Sequence, residues 1–393
     1  MIVLAGGDIV LPDRIVSSGS LLIDSARIAA VEARRAAPAG AAVIDLHDSY
    51  VVPGFVDVHV HGVENHDSLD GPGSIAAIAS RLPRYGVTAF CPTTVACAPG
   101  ALATALEEVA ATRLHRPVRS ARVLPAHLES NFINPDYKGA QPLACLRSPA
   151  GGRTEGDFNG HDILAVIESR AADVGIVTLA PEIDGALGLI PRFVRAGHRV
   201  SLGHSGADVD QAFAAIEAGA RHATHLFNRM TAIAHRAPGL AGAVLAHADV
   251  RAELICDGYH VHPAMSRIAI AAKGVNGIMA ITDGTAGSGL APGSMARLGG
   301  QPIRVSDQAA VLDDGTLAGS TLTMDRAFRN IVALFQASIT EAAMMCSTTP
   351  ARAMGLTGFG VIAAGNIADL VVLDRAFRVT RTFIGGEEVY RAG

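Results

Sequence analysis

Eight hydrophobic runs recur through the middle of the chain, at 55–61, 88–95, 122–130, 176–182, 199–205, 222–228, 253–261 and 277–284. Most are followed by Ala-rich amphipathic stretches, among them 74–85, 101–113, 163–172, 208–218 and 263–273, with 323–337 after the eighth run. Apolar runs of strand length alternating with helical periodicity predict βα units, and eight of them predict an α/β fold, a (β/α)8 TIM-like barrel. The gaps at 131–160 and 285–321 are longer than ordinary connections and are expected to be loops over the active face.

The ends of the chain have a different rhythm. Short alternating segments punctuated by Gly and Asp fill the first 53 residues, and 365–374 and 379–390 repeat that character. Residues 1–53 and 359–393 are therefore expected to join in one small β-sandwich domain, beside a barrel spanning 54–358.

What the runs end on carries the chemistry. Phe55-Val-Asp-Val-His59-Val-His61 closes on two histidines one residue apart; in an extended strand both share a face and can meet one metal ion. Such a pair alone is more often two partly solvated neighbours. Five later runs, however, finish on His127-Leu-Glu129, Glu182, His204-Ser205, His225-Leu-Phe-Asn228 and Asp283. A parallel barrel assembles its site from the carboxyl ends of strands distant in sequence, so this placement predicts a metal centre at one mouth of the barrel.

Composition narrows the function. A net charge of −5 and a pI near 6.3 leave no basic surface for nucleic acid or membrane. No apolar stretch approaches the roughly 18 residues of a membrane span, and the start of the chain lacks a signal-peptide pattern. The five cysteines are scattered without a C-x-x-C, which suits a reduced cytoplasmic protein. Lysine occurs only at Lys138 and Lys273, neither at a strand end, so Glu129 is a better candidate than a modified lysine for bridging two ions.

In their order along the chain, Pro53-Gly-Phe-Val-Asp-Val-His-Val-His-Gly62, Thr178-Leu-Ala-Pro-Glu182, Gly203-His-Ser205, Ala223-Thr-His-Leu-Phe-Asn228, Arg236-Ala-Pro-Gly-Leu-Ala-Gly242, Asp257-Gly-Tyr-His260, Thr282-Asp283 and Gly319-Ser-Thr-Leu-Thr323 resemble the amidohydrolase superfamily. Within it they resemble the N-acetylglucosamine-6-phosphate deacetylases, over nearly the whole chain. The resemblance implies a metal-dependent deacetylase of an amino-sugar phosphate. It makes Glu129, His204 and His225 the core ligands, with His59 and His61 completing a second position, so that one or two divalent ions are open. Zinc comes first, with iron, manganese or cobalt as alternatives. It makes Asp283 the proton carrier, accepting a proton from an activated water and delivering it to the leaving amine. Asn228, Arg236 and His260 match residues that hold the sugar phosphate, partly across a homodimer interface.

The chain also departs from that pattern. Ser130-Asn131 stand where Gly-Pro is usual, Gln141 stands for a carbonyl-polarising histidine, and Arg229 replaces a small residue after the asparagine. Gln141 and Arg229 are consequently expected to touch substrate, Gln141 as a neutral donor. Two rival functions remain at this stage: deacylation of another N-acyl amine, whether a different amino-sugar phosphate or an unphosphorylated compound, and a catalytically silent sugar-phosphate sensor.

Overall fold

The computed structural model describes residues 1–33, 37–151, 157–306 and 308–393. At its centre, parallel strands Phe55–Val60, Val87–Thr94, Arg122–Val123 with Ala126–Glu129, Val174–Leu179, Arg199–Leu202, His222–Ala223, Arg251–Ile255 and Ile278–Ile281 follow one another around a barrel. Each pairs with the next in parallel register, from Phe55 opposite Val87 to Ile255 opposite Ile281. The seam between the last strand and the first is nearly closed. There Asp283 N–H donates to His59 O at 2.9 Å and His61 N–H to Gly284 O at 2.8 Å, while Thr282 Oγ1 donates to the Asp57 carboxylate at 2.6 Å.

Most of the expected helices are present, including Ser74–Arg81, Pro99–Leu114, Val209–Glu217 and Pro263–Lys273. Four others lie outside the expected stretches: Ala186–Arg195, Gly239–Ala246, Ile339–Ala343 and Thr349–Ala353. Ala186–Arg195 contains Pro191, which removes one backbone donor, yet the helix forms because it buries Ala186, Leu189, Ile190 and Phe193. Gly239–Ala246 is almost uniformly apolar and buried, so no amphipathic period marks it.

The expectation that 285–321 is a loop is corrected: it holds a small antiparallel sheet, Met295–Leu298, Gln301–Val305 and Ala310–Val311. Its own core of Ala296, Leu298, Ile303 and Ala310 stabilises it, and its first turn is tied down where Gly299 N–H donates to Asp67 at 3.1 Å. The segment 131–160 is irregular apart from short 3-10 turns at Pro135–Tyr137 and Leu143–Cys145; its part 152–156 lies outside the described residues.

Both ends of the chain contribute to one further sheet, in which Glu387–Arg391, Val379–Ile384 and Leu370–Asp374 join Ser49–Pro53, Ile2–Val10, Ile15–Asp24 and Arg27–Glu32, while Ala42–Asp45 pairs with Ile2–Val10. This sheet encloses a second core around Leu4, Leu21, Ile23, Leu370 and Phe383. It is fastened to the barrel by the forked pair of Arg122 with Asp369, at 3.1 and 3.2 Å, whose carboxylate is almost fully buried.

Candidate metal centre and active site

Three of the chemistry-bearing side chains stand two residues beyond the end of a strand: His204 after Leu202, His225 after Ala223, Asp283 after Ile281. All three have left-handed backbones, with φ of 48°, 28° and 47°. That conformation is costly for residues other than glycine, and it turns each side chain from the strand direction into the barrel mouth.

There they meet Glu129, at the end of the third strand. Glu129 Oε1 lies 2.8 Å from His204 Nε2 and 2.9 Å from His225 Nε2, and its Oε2 lies 3.4 Å from His61 Nε2. The His59 and His61 Nε2 atoms are 3.2 Å apart, and each is 3.3 Å from Asp283 Oδ1. Two groups able to hold an ion therefore share Glu129: Glu129, His204 and His225, and His59, His61 and Glu129.

The proton arrangement indicates what these groups require. His204 Nδ1 faces the carbonyl oxygen of Tyr137 at 2.8 Å, so it carries the ring proton. In a neutral ring Nε2 then presents a lone pair to Glu129 Oε1 and to His225 Nε2, 3.0 Å away. His59 is arranged in the same way: Nδ1 gives its proton to Glu253 Oε2 at 2.8 Å, leaving the Nε2 lone pair toward His61 and Asp283. Lone pairs opposed in a buried site repel unless cations stand among them. Imidazole nitrogens with carboxylate oxygens are the donor set of a borderline divalent ion, and the residues fit one.

Without an ion, protons must serve. Burial opposes charge on His59, but the carboxylates of Asp283, Glu253 and Glu129 outweigh it and raise the pKa to about 9. His61 is raised to about 10, again against burial, by Asp283 and Glu129. Burial likewise opposes ionisation of Glu129, yet His204 first, then the hydrogen bonds of His225 and His61, hold it well below the usual carboxylate range. Asp283 is lowered, against burial, by His59 and His61.

A cavity of about 70 Å³ opens above the cluster, lined by His61, Glu129, His204, His225 and Asp283 on its floor and by Gln141, Asn228, Arg229 and His260 around them, with Ile255, Leu298 and Leu317 as apolar wall. His260 Nδ1 is held by Asp257 at 2.5 Å, while its Nε2 is buried without a partner. Asn228 donates to the carbonyls of His225 and Leu226, each at 3.3 Å. Gln141 Nε2 donates to Glu129, and its Oε1 accepts from Ala96 N–H at 2.7 Å. Arg229 is exposed at the rim, its guanidinium against Gly139.

Among the candidate site residues, His59 is fully buried within the cluster without lining the cavity, and Arg236 is brought to neither. It stands exposed in the turn before Gly239–Ala246, and among the described residues it makes no ion pair. Glu182 also ends a barrel strand run but points elsewhere. Its carboxylate accepts from Asn134, Ser205 and Gly206 at 2.8, 2.7 and 2.6 Å and so braces the loop behind His204. Glu253, not among the expected site residues, opened the expected run 253–261 but stands in the middle of the observed strand Arg251–Ile255.

Comparison with known proteins agrees with this geometry. The model of the amidohydrolase family matches residues 50–389. The N-acetylglucosamine-6-phosphate deacetylase of Bacillus subtilis is 33% identical over 384 residues, 96% of this chain and 94% of its own length. The N-acetylgalactosamine-6-phosphate deacetylase of Escherichia coli O157:H7 is 35% identical over 363 residues, 92% of each. Among solved structures, a variant N-acetyl-D-glucosamine-6-phosphate deacetylase from Mycobacterium smegmatis, in complex with N-acetyl-D-glucosamine 6-phosphate, superimposes with a TM-score of 0.88 at 34% identity, covering 99% of both chains. With a barrel whose mouth gathers histidines and carboxylates fit for divalent metal, and with a family match over most of its length, the chain belongs to the amidohydrolase family, as a metal-dependent hydrolase of C–N bonds.

Proposed function

We propose that this amidohydrolase removes the N-acetyl group of N-acetylglucosamine 6-phosphate, giving acetate and glucosamine 6-phosphate. The observation that carries the proposal is one cavity in which Asp283 and the Glu129, His204 and His225 group form the floor, while Asn228, Arg229 and His260 offer donors beside them. The named activities of the relatives support the same substrate class.

Glu129, His204 and His225 would hold one divalent ion, zinc first, and His59 and His61 with Glu129 a second. When bound, such an ion lowers the pKa of a water from 15.7 toward about 7 and polarises an amide carbonyl. Asp283, at the seam between the last and first strands, accepts a proton from the attacking water and returns it to the leaving nitrogen. Gln141 has a second amide hydrogen beyond the one given to Glu129, available to the acyl oxygen. Ile255, Leu298 and Leu317 limit water around the acyl group. His260 Nε2 is placed to donate to the phosphate, joined by Arg229 from the rim, with Asn228 lining the same cavity as a further candidate contact.

Arg236 belongs to the same proposal only through a second copy of the chain: exposed and outside its own cavity, it would reach the phosphate of a partner's substrate in a homodimer. Five free cysteines, four of them buried, suit a reducing cytoplasmic setting. Among the described residues no helix is long and apolar enough to cross a membrane. The division into a module of 1–53 with 359–393 and a barrel of 54–358 is supported by the core around Leu4, Leu21, Ile23, Leu370 and Phe383, drawn from the chain ends alone, while Val10, Val52, Val371 and Leu373 of the same sheet pack into the barrel core.

Acetate release by purified, zinc-loaded protein tests the proposal, using N-acetylglucosamine 6-phosphate, its N-acetylgalactosamine epimer and unphosphorylated N-acetylglucosamine. The first is expected to have the highest kcat/KM. A strong preference for the galactosamine epimer would assign the chain to the chemistry of its Escherichia coli relative instead. Preference for the unphosphorylated sugar would remove the phosphate from the assignment.

A further inference from the structure

Glu253 lies in the middle of the seventh barrel strand, Arg251–Ile255, with its side chain fully buried. A carboxylate in a barrel core is retained only where specific partners compensate for its lost hydration. Its Oε2 accepts from His59 Nδ1 at 2.8 Å and from the backbone N–H of His225 at 3.3 Å. One carboxylate oxygen thus grips a histidine from each of the two groups that share Glu129.

The nearby ring of His127 could make this cluster look like a third ion site, since His59, His127 and Glu253 lie close together. The hydrogen bonds exclude that use. His127 Nδ1 faces Val58 O at 3.1 Å and its Nε2 faces Thr178 Oγ1 at 2.7 Å, so both nitrogens are engaged. His59 turns its proton-bearing Nδ1, not a lone pair, toward Glu253. Glu253 Oε1 has no hydrogen-bond partner and stands 3.8 Å from His127 Nδ1. The cluster is therefore a brace behind the ligands.

Its effect on the two groups differs. For His59 the carboxylate selects the tautomer, leaving the Nε2 lone pair toward His61, Asp283 and Glu129, and increases the basicity of that nitrogen. For His225 it acts only through the backbone, helping to hold the left-handed turn, and the Nδ1 of that ring has no partner. The Nδ1 proton of His204 goes to a neutral carbonyl, that of Tyr137. Of the imidazoles facing Glu129, His59 alone has a carboxylate on its Nδ1 among the described residues.

We infer that Glu253 is a positioning residue that orients His59, so that an ion on the His59, His61 and Glu129 group depends on it far more than one on the Glu129, His204 and His225 group. The inference rests on the metal-dependent function proposed above.

Zinc and cobalt titration of chelator-stripped protein, with bound metal counted by elemental analysis, tests it independently of turnover. Wild type is expected to take up two equivalents. In Glu253→Gln the first should bind as in wild type and the second roughly 10–100-fold more weakly, with the visible absorption of the second cobalt altered. Retention of the first equivalent reports that the variant is folded. Should Glu253→Gln fail to fold, Glu253→Asp, which keeps the charge but withdraws it by one methylene, is expected to show the same selective loss. A His59→Gln background should abolish the effect of either change. Equal weakening of both equivalents, unchanged binding of both, or a single equivalent in wild type overturns the inference. Uptake of no metal at all would overturn the metal-dependent function together with it, whereas failure to release acetate with normal two-metal binding would overturn only the substrate assignment.

Discussion

Gln141 gives an amide hydrogen to Glu129, the carboxylate shared by two of the groups that could hold an ion, while its carbonyl is anchored on Ala96 N–H at 2.7 Å. The side chain is thereby held on both sides before any substrate arrives. Because the anchor fixes which end is the amide nitrogen, its remaining hydrogen is the only donor it can offer the cavity.

Two effects should follow from Gln141→Ala. Loss of a donor to the developing oxyanion typically costs about 10²–10³ in rate, and kcat should fall more than KM rises. Glu129 also loses a support, so metal affinity should fall by roughly tenfold. Steady-state kinetics at saturating zinc, beside a chelator competition, separates the two; normal metal affinity in the variant would mean that Glu129 does not depend on Gln141.

Asp283→Asn keeps the shape of the side chain but cannot carry a proton. Folding and metal content are expected to be retained while turnover falls at least 10²-fold, within the range for general acid–base catalysis. Near-normal turnover in metal-replete protein would end the assignment of Asp283 as proton carrier.

Replacing His204 by Ala removes a ring that meets Glu129 Oε1 at 2.8 Å and frees the carbonyl of Tyr137. Metal content and activity should fall together, unlike in the Asp283 variant. Elemental analysis showing full occupancy in both His204→Ala and His225→Ala would reject these residues as ligands.

The pH dependence has a defined sign. In metal-free protein His59 and His61 have pKa values raised from 6.5 to about 9 and about 10. Their contribution to stability is therefore fully present below pH 6.5 and is lost as pH rises through about 9–10. An incoming ion must displace those protons, so zinc affinity on the His59 side should rise between pH 6.5 and 8.5, by up to about tenfold per unit for each proton released. Calorimetric titrations in buffers of different ionisation enthalpy count the protons; release of none at pH 7 would contradict the raised values.

Arg236→Ala should lower kcat/KM for a phosphorylated substrate by about 2–5 kcal/mol equivalent and leave an unphosphorylated one nearly unchanged, provided that a second copy presents the arginine. Mixing Arg236→Ala with an inactive Asp283→Asn chain should then restore part of the activity through mixed dimers. A fully active monomer at assay concentration would rule out the shared site.

The eight hydrophobic runs and the residues closing them were legible along the chain, because strand and helix periodicity and strand-end polarity are local properties. So was the joining of the two chain ends in one small β module, expected as a sandwich. Other features were decided only when the strands closed into a barrel. Glu182 and Glu129 end comparable runs, yet one braces a loop and the other meets four imidazoles, since the direction of each side chain follows from local turns after strands that close against one another. Likewise Arg236 and Arg229 lie seven residues apart, but only Arg229 borders the cavity of its own chain. Glu253 sits mid-strand, where apolar packing is the rule, and its partners come from positions 194 and 28 residues away. Distances between side chains on different strands depend on barrel register and closure, which no local pattern encodes.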